Sequence, residues 1–311
     1  MTEPEPEPSL FWQDLGAAHE RDLAEFGFAT VKRHQALRYF TWRWRLRGAL
    51  RSEQLRFLLR HNGPGSWLTA WRRPERSDSA WAEVDWSTGE RRFYTFAVRL
   101  LWDYAARHGD RAVLDLPEPL VGAPLPVEAR GRLISQDLAN SSLEVAAMRR
   151  LWSGPDAPRS FLEVGAGYGR TAYVLLSLFP DAVYTIVDIK PAIDISQWYL
   201  GQLFPPERLR FVDPSEVDSI ETGSIDLALS ISSLQEMTTE SVASYLGLMD
   251  RVASGGSVYL KQWTSWENPD DQITLTFADY PFPTRWRRRF WQAAPVQTTF
   301  TEAGWSVPDE A

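Results

Sequence analysis

The stretch Phe161 to Thr171 reads Phe-Leu-Glu-Val-Gly-Ala-Gly-Tyr-Gly-Arg-Thr, and it limits the fold more than any other part of the chain. Apolar residues run into an acid, three glycines alternate, and an apolar run from Thr171 to Phe179 follows, stopped by Pro180. That order predicts strand, tight turn, helix. The glycines let the backbone turn sharply and approach a ligand closely, because no Cβ intervenes. The helix beyond them begins with N–H groups that lack intrahelical partners.

Two ligand classes compete for such a loop. A dinucleotide site needs G-x-G-x-x-G, with pyrophosphate on the helix N-terminus. Here the third glycine comes one residue early, and Glu163 stands two residues before the first. A carboxylate there sits badly beside a pyrophosphate and suits a cation such as the amino group of S-adenosylmethionine. Tyr184-Thr185-Ile186-Val187-Asp188 supplies an acid at the end of the next strand, where it can accept from two ribose hydroxyls. The expected cofactor site is therefore Glu163, Gly165, Ala166, Gly167, Gly169, Asp188 and Ile189. Asp213, closing a third strand from Leu209, is placed beside the adenine, although turn chemistry with Pro214 and Ser215 accounts for it equally well. The bland alternative for the whole set is a structural glycine turn in another α/β fold.

Composition excludes several other functions. The 311 residues are 44% apolar, enough for a core, and the net charge of −8 provides no general attraction to nucleic acid or anionic membrane. The chain has no cysteine, which removes disulfides, thiolate catalysis and cysteine-ligated zinc and is compatible with a cytoplasmic protein. No apolar run reaches membrane-spanning length, and the acidic, proline-rich start reads as a disordered tail over 1–10, not a signal peptide. The 15 tryptophans read mainly as core or interface anchors, some of which line a pocket for a flat or sugar-like ligand.

Residues 11–140 form a mainly helical cap region in this reading, and 141–311 an α/β, Rossmann-like domain with helices on both faces of the sheet. Within the cap, Arg38, Arg43, Arg45, Arg47, Arg51 and Arg56 alternate with Tyr39, Phe40, Trp42 and Trp44. That pattern fits a solvated helix face whose arginine stems cover apolar surface, with nucleic-acid binding as the runner-up. Ser141-x-x-Glu144 reads as a capping box, with Gln136, Asp137 and Asn140 just ahead of its helix and Gln136 and Asn140 available to the donor. Further strands are expected at Ser224–Ile231, Ser257–Trp263, Gln272–Phe277 and Gln297–Trp305. Arg285 to Arg289 reads as a solvated basic cluster, with a site for an acidic substrate group as the alternative.

Several stretches together resemble the bacterial sugar O-methyltransferase family, with links to natural-product and surface-glycan pathways. They are Glu118–Leu125, Ile134–Ser141, Phe161–Thr171, Val187–Ile189, Ser233–Met237 and Tyr259–Trp263, and the likeness covers about Leu114 to Trp305. The resemblance implies a class I methyltransferase that uses S-adenosylmethionine on a small-molecule sugar or glycoside acceptor, with a homodimer admitted as the assembly. It supplies no catalytic base.

A sugar hydroxyl is a poor nucleophile until a base takes its proton. The four histidines, His19, His34, His61 and His108, all precede the glycine loop. Either His61 or His108 reaches over, or a carboxylate serves. Glu236 is the best-placed carboxylate, just past the carboxyl end of the fourth strand, with helix capping as its bland role. Gln235, Lys261, Gln262 and Trp263 are the acceptor-side candidates, and Asp226, at the opposite end of that strand, is structural. A divalent cation that acidifies the hydroxyl is the remaining route, and no compact ligand motif is evident.

Overall fold

The computed structural model describes residues 9–34, 42–43, 46–72, 81, 84, 86–129, 131–152, 157–268 and 273–309. Most of the expected tail, along with Arg38, Tyr39, Phe40, Trp44, Arg45 and Gln272, lies outside the described residues. The tail is corrected at its end: Ser9 is buried and Leu10 opens a helix.

The elements in order are α1 (Leu10–Phe26), a 3-10 turn (Phe28–Arg33), α2 (Leu46–Arg51), α3 (Glu53–Arg72), α4 (Thr88–His108), α5 (Arg111–Asp115), the hairpin β1 (Val127–Ala129) and β2 (Arg132–Ile134), and α6 (Gln136–Met148). There follow β3 (Ser160–Val164), α7 (Arg170–Leu178), β4 (Val183–Val187), α8 (Ala192–Gly201), β5 (Leu209–Val212), β6 (Leu227–Ile231), α9 (Thr239–Val252) and β7 (Ser257–Trp263). The hairpin β8 (Ser265–Asn268) and β9 (Ile273–Thr276), then β10 (Arg287–Ala293) and β11 (Phe300–Ser306), complete the chain.

These elements form two compact units. One holds the N-terminal segment up to Glu25, Met148–Ala294 and Thr299 onward; the other holds Phe26–Ala147 and Pro295–Thr298. A boundary after residue 140 would cut α6, which stays with the helical unit.

The sheet unit is built on seven strands in the order β10-β11-β7-β6-β3-β4-β5. The strands β5, β4, β3, β6 and β7 are mutually parallel, while β11 runs antiparallel to β7 and β10 to β11. From β3 the chain steps outward to β4 and β5, then returns to the other side of β3 for β6 and β7. Right-handed crossovers in opposite directions put helices on both faces, and the crevice opens at the carboxyl ends of β3 and β6. The Rossmann-like expectation is met. The four residues Phe161–Val164 are all buried, as a two-sided parallel strand requires. Helix α7 buries Thr171 through Leu176 against the sheet, and α9 buries Val242, Leu246, Met249 and Val252.

At the C-terminal edge the expected strand near Gln272–Phe277 forms from Ile273 and pairs with β8 in a separate hairpin. Arg287, Arg288 and Arg289 are exposed, as a solvated cluster requires, and they stand on β10, the sheet's outer edge, where charge discourages pairing with another chain. Arg285 instead pairs with Asp250 at 2.7 Å. Behind this edge Trp286, Trp291 and Trp305 pack with Phe277 and Phe282, which accounts for several of the tryptophans as core.

In the helical unit α3 and α4 pack through a core that includes Leu55, Leu58, Ala97, Val98 and Leu101. A capping box does occur here, at Ser87 and Glu90. The one expected at Ser141 and Glu144 does not form, because α6 starts five residues earlier and both side chains are buried mid-helix. The start is fixed by Ser135, whose Oγ accepts from the Leu138 N–H at 3.0 Å and donates to Glu118, itself paired with Lys32 at 2.8 Å. Of the arginine-rich stretch, Arg43 pairs with Glu90 and lies over Trp86, and the Arg51 and Arg56 side chains are exposed.

Candidate functional site

The glycine loop follows β3 directly. Gly165, Gly167 and Gly169 all have positive φ, at 74°, 57° and 92°. Two of them are needed for close approach. A Cβ on Gly165 would overlap the Ser233 side chain, and one on Gly169 would lie 2.9 Å from Leu200 of α8. Gly167 differs: nothing lies within 4 Å of its side-chain direction. The loop is thus clamped at both ends by the fold and open at its middle, where a ligand can approach the backbone.

Asp188 follows β4 and is 7% exposed. Its carboxylate accepts from the N–H of Ile189 at 2.9 Å and of Gly167 at 3.3 Å, with the Ala166 N–H also directed at it. Burial pushes its pKa up to about 7, and the three backbone donors oppose the rise. Glu163 is buried on β3, and its Oε2 accepts from the Tyr184 hydroxyl at 2.8 Å. Tyr184 is a site residue the sequence reading passed over, although its place one strand away in the parallel register was visible. Ile189 is partly buried and accepts from the Ile193 N–H in the first turn of α8. Asp213 is exposed and caps the next 3-10 turn through the Ser215 N–H and hydroxyl, which is the turn chemistry.

The carboxyl end of β6 forms the other half. Ser232 holds φ at 57°, an uncommon conformation for a non-glycine residue, and the 3-10 turn Leu234–Glu236 follows. Glu236 is buried, and burial together with the charge of Asp188 lifts its pKa to about 8, against a lowering hydrogen bond from Gln235. That bond runs from Gln235 Nε2 to Glu236 Oε1 at 3.4 Å, and the same amide reaches Ser232 Oγ at 3.2 Å. Two buried acids, one from each half, therefore act on each other.

Gln262 is fully buried, and its amide is engaged by β6. It donates to the carbonyl and hydroxyl of Ser230 and accepts from the Ser233 N–H at 3.1 Å. Its observed role is to hold the turn. Lys261 is buried opposite Glu302 in the register, with its ammonium over the Phe300 ring. Trp263 lies between Phe300 and Trp266. Asp226 accepts from the N–H groups of Arg159 and Ser160 at the other end of the sheet, a structural role.

The remaining candidates belong to the helical unit. Gln136 is the first residue of α6 and accepts from the Trp42 N–H; Asn140 is buried one turn on. His61 stacks on Phe57 with ring centroids 3.9 Å apart, and His108 leans on Tyr104; both are exposed. One histidine ahead of the glycine loop does lie in the sheet unit: α1 belongs to that unit up to Glu25, and its His19 is buried beside Trp12. Helix α1 meets the carboxyl edge directly. The Ser9 hydroxyl donates to the Glu236 carbonyl, Gly16 faces Pro191, and Phe11 meets Trp266 edge-on. Among the described residues no group of three or more acids and histidines is placed to hold a metal, and no helix is long and apolar enough to cross a membrane.

No family model and no curated protein matches the chain. Solved structures do. A geranyl diphosphate methyltransferase in complex with GPP and sinefungin shares 13% identity over 54% of this chain and 78% of its own, with a TM-score of 0.41. A phosphoethanolamine N-methyltransferase of Haemonchus contortus, in complex with phosphoethanolamine and S-adenosylhomocysteine, shares 13% over 55% and 43%, at 0.40. The [4+2]-cyclase SpnF shares 14% over 59% and 86%, at 0.43. At these identities and scores the likeness transfers no chemistry, and the fold is fixed by the strand order itself.

Proposed function

We propose that the chain is an S-adenosylmethionine-dependent O-methyltransferase acting on a hydroxyl of a sugar or glycosylated natural product. The observation that carries the donor half is that the backbone N–H groups of Ala166, Gly167 and Ile189 converge on the carboxylate of Asp188. In a dinucleotide site such amides would face a phosphate. Here the amides of Ala166 and Gly167 are taken by a carboxylate and are not free for a phosphate, while that acid can accept from ribose hydroxyls; Glu163 and the early third glycine favour the methyl donor over a dinucleotide. The open middle of the loop at Gly167 provides the cradle, and the buried Glu163, Asp188 and Glu236 suit a cation. When bound, the donor supplies an electrophilic methyl group on a positively charged sulfur.

The chain's own residues then have three tasks. Asp188 and the loop fix the nucleoside. The Leu234–Glu236 turn, held by Gln262 and Ser9, fixes the position of Glu236 at the same crevice. The carboxylate of Glu236 takes the acceptor's proton, and its ionised form is favoured by a neighbouring cation. Positioning carries the remainder, since a leaving thioether needs no further activation. The sugar half rests on the resemblance of the flanking stretches.

The test is transfer of a radiolabelled methyl group to a panel of glycosides and nucleotide sugars. Label is expected in a methyl ether of a panel member. Donor binding without label in any hydroxyl compound would contradict the acceptor class.

A further inference from the structure

We propose that the rings of Phe11, Trp263 and Trp266 form the platform on which the acceptor lies, and that they take an uncharged ring by its apolar face. This rests on the donor-site reading above and adds to it the face by which the acceptor is held.

The donor reading fills one side of the crevice. Asp188 and the glycine loop stand at the carboxyl ends of β4 and β3, and the strand order puts β6 and β7 on the other side. In-line displacement sets the nucleophile and the leaving sulfur on opposite sides of the methyl group, so the acceptor is left the β6–β7 side. Helix α1 crosses from one side to the other. The Ser9 hydroxyl donates to the Glu236 carbonyl beyond β6, and seven residues later a Cβ on Gly16 would lie 3.7 Å from the Pro191 ring beyond β4. Seven residues of helix span about 10 Å, which matches two strand spacings of about 4.8 Å each. Helix α1 therefore passes over the carboxyl end of β3, and its first turn lies on the acceptor side.

Three aromatic side chains meet there from three elements: Phe11 of α1, Trp263 at the end of β7, and Trp266 of β8. The Phe11 and Trp266 rings are 6.1 Å apart and inclined at 75°, and those of Trp266 and Trp263 are 5.2 Å apart at 50°. Both ends of the group are tied to the Glu236 turn. Phe11 is tied through Ser9, two residues before it, and Trp263 through the adjacent Gln262, which accepts from the Ser233 N–H at 3.1 Å. All three rings are only half-buried, whereas Trp286 and Trp305 behind the sheet edge are buried. Rings so inclined do not cover one another's faces, so aromatic surface stays open beside the turn that carries Glu236. That surface is apolar and its faces carry negative charge density. It gains by burying the C–H groups of a sugar or aglycone ring and repels an anion.

Calorimetric titration with the phenyl and methyl glycosides of glucose, galactose, mannose and rhamnose tests this. At least one is expected to bind saturably, and to bind about tenfold more weakly to Phe11→Ala and to Trp266→Ala. Binding of methyl glycosides would seat the sugar's own C–H face on the platform; binding of phenyl glycosides alone would seat the aglycone. Both variants should keep the parent's S-adenosylhomocysteine affinity. If Trp266→Ala does not fold, Phe11→Ala, in the first turn of α1, decides. No glycoside binding to the parent, unchanged binding in the variants, or glucose 1-phosphate bound as tightly as the glucosides would each overturn the assignment. If S-adenosylhomocysteine does not bind the parent, the donor-site reading fails separately, and the glycoside titrations, which need no donor, still decide the platform.

Discussion

Asp188 in one half of the crevice and Glu236 in the other are both buried acids, and they are held differently. Asp188, beyond β4, is gripped by three backbone N–H groups from its own and the neighbouring loop. Glu236, beyond β6, has a single long side-chain bond from the adjacent Gln235 and the charge of Asp188 acting on it. A carboxylate fixed by backbone donors cannot readily change partners, which suits binding. A loosely partnered one can change partners, which suits transfer. The division of labour proposed above follows from that contrast, and it can be broken at either half.

The largest effect is expected at Glu236. Glu236→Gln conserves shape, so donor affinity should remain while turnover falls by about 10²–10⁴-fold, the usual contribution of a positioned base. Near-normal turnover would remove Glu236 from the mechanism. If His61→Asn or His108→Asn gave the loss instead, the base would lie in the helical unit. At the other half, Asp188→Ala should weaken donor binding by roughly 1.5–3 kcal/mol, the range for hydrogen bonds to a charged group. An unchanged dissociation constant would place the nucleoside elsewhere.

The glycines sharpen the contrast within the donor half. Gly167→Val should abolish donor binding at the cost of some melting temperature, because its side chain enters open space but its φ of 57° is left-handed. Gly165→Ala should lower the melting temperature with less effect on the open middle of the loop, because its φ is left-handed and its Cβ also meets Ser233. The reverse pattern would mean that the ligand approaches the clamped end of the loop.

The smallest effect is on stability against pH. Both acids have folded pKa values raised by burial, to about 7 and about 8. Between the ordinary carboxylate range and those values, the folded protein holds protons that the unfolded chain has lost. Their contribution is complete below the unfolded values and disappears as pH rises through the folded ones. The melting temperature of the ligand-free protein should therefore fall as pH rises from about 5 to about 8, and Glu236→Gln should flatten the upper part of that fall. A flat profile in the parent would mean that the acids are already ionised.

The donor half was legible because it is local. Glu163, the three glycines and Asp188 lie on one strand-turn-helix-strand unit, where spacing alone fixes geometry. The acceptor half joins the Gln235–Glu236 turn to Ser9, 227 residues away in the chain, through the segment that opens α1. The misread start of α6 has a similar cause. Ser135 and Ser141 are both good caps locally, and the choice is made by Glu118 and Lys32, distant residues that meet only in the fold. Strand β10 escaped notice because three arginines at a sheet edge look like a solvated surface.

Calorimetric titration of the purified protein with S-adenosylhomocysteine and, in parallel, with NAD tests the central claim most directly. The arrangement of Ala166, Gly167 and Ile189 around Asp188 predicts saturable binding of S-adenosylhomocysteine, weakened in Asp188→Ala, and no measurable binding of NAD. Tight NAD binding with no response to S-adenosylhomocysteine would contradict it.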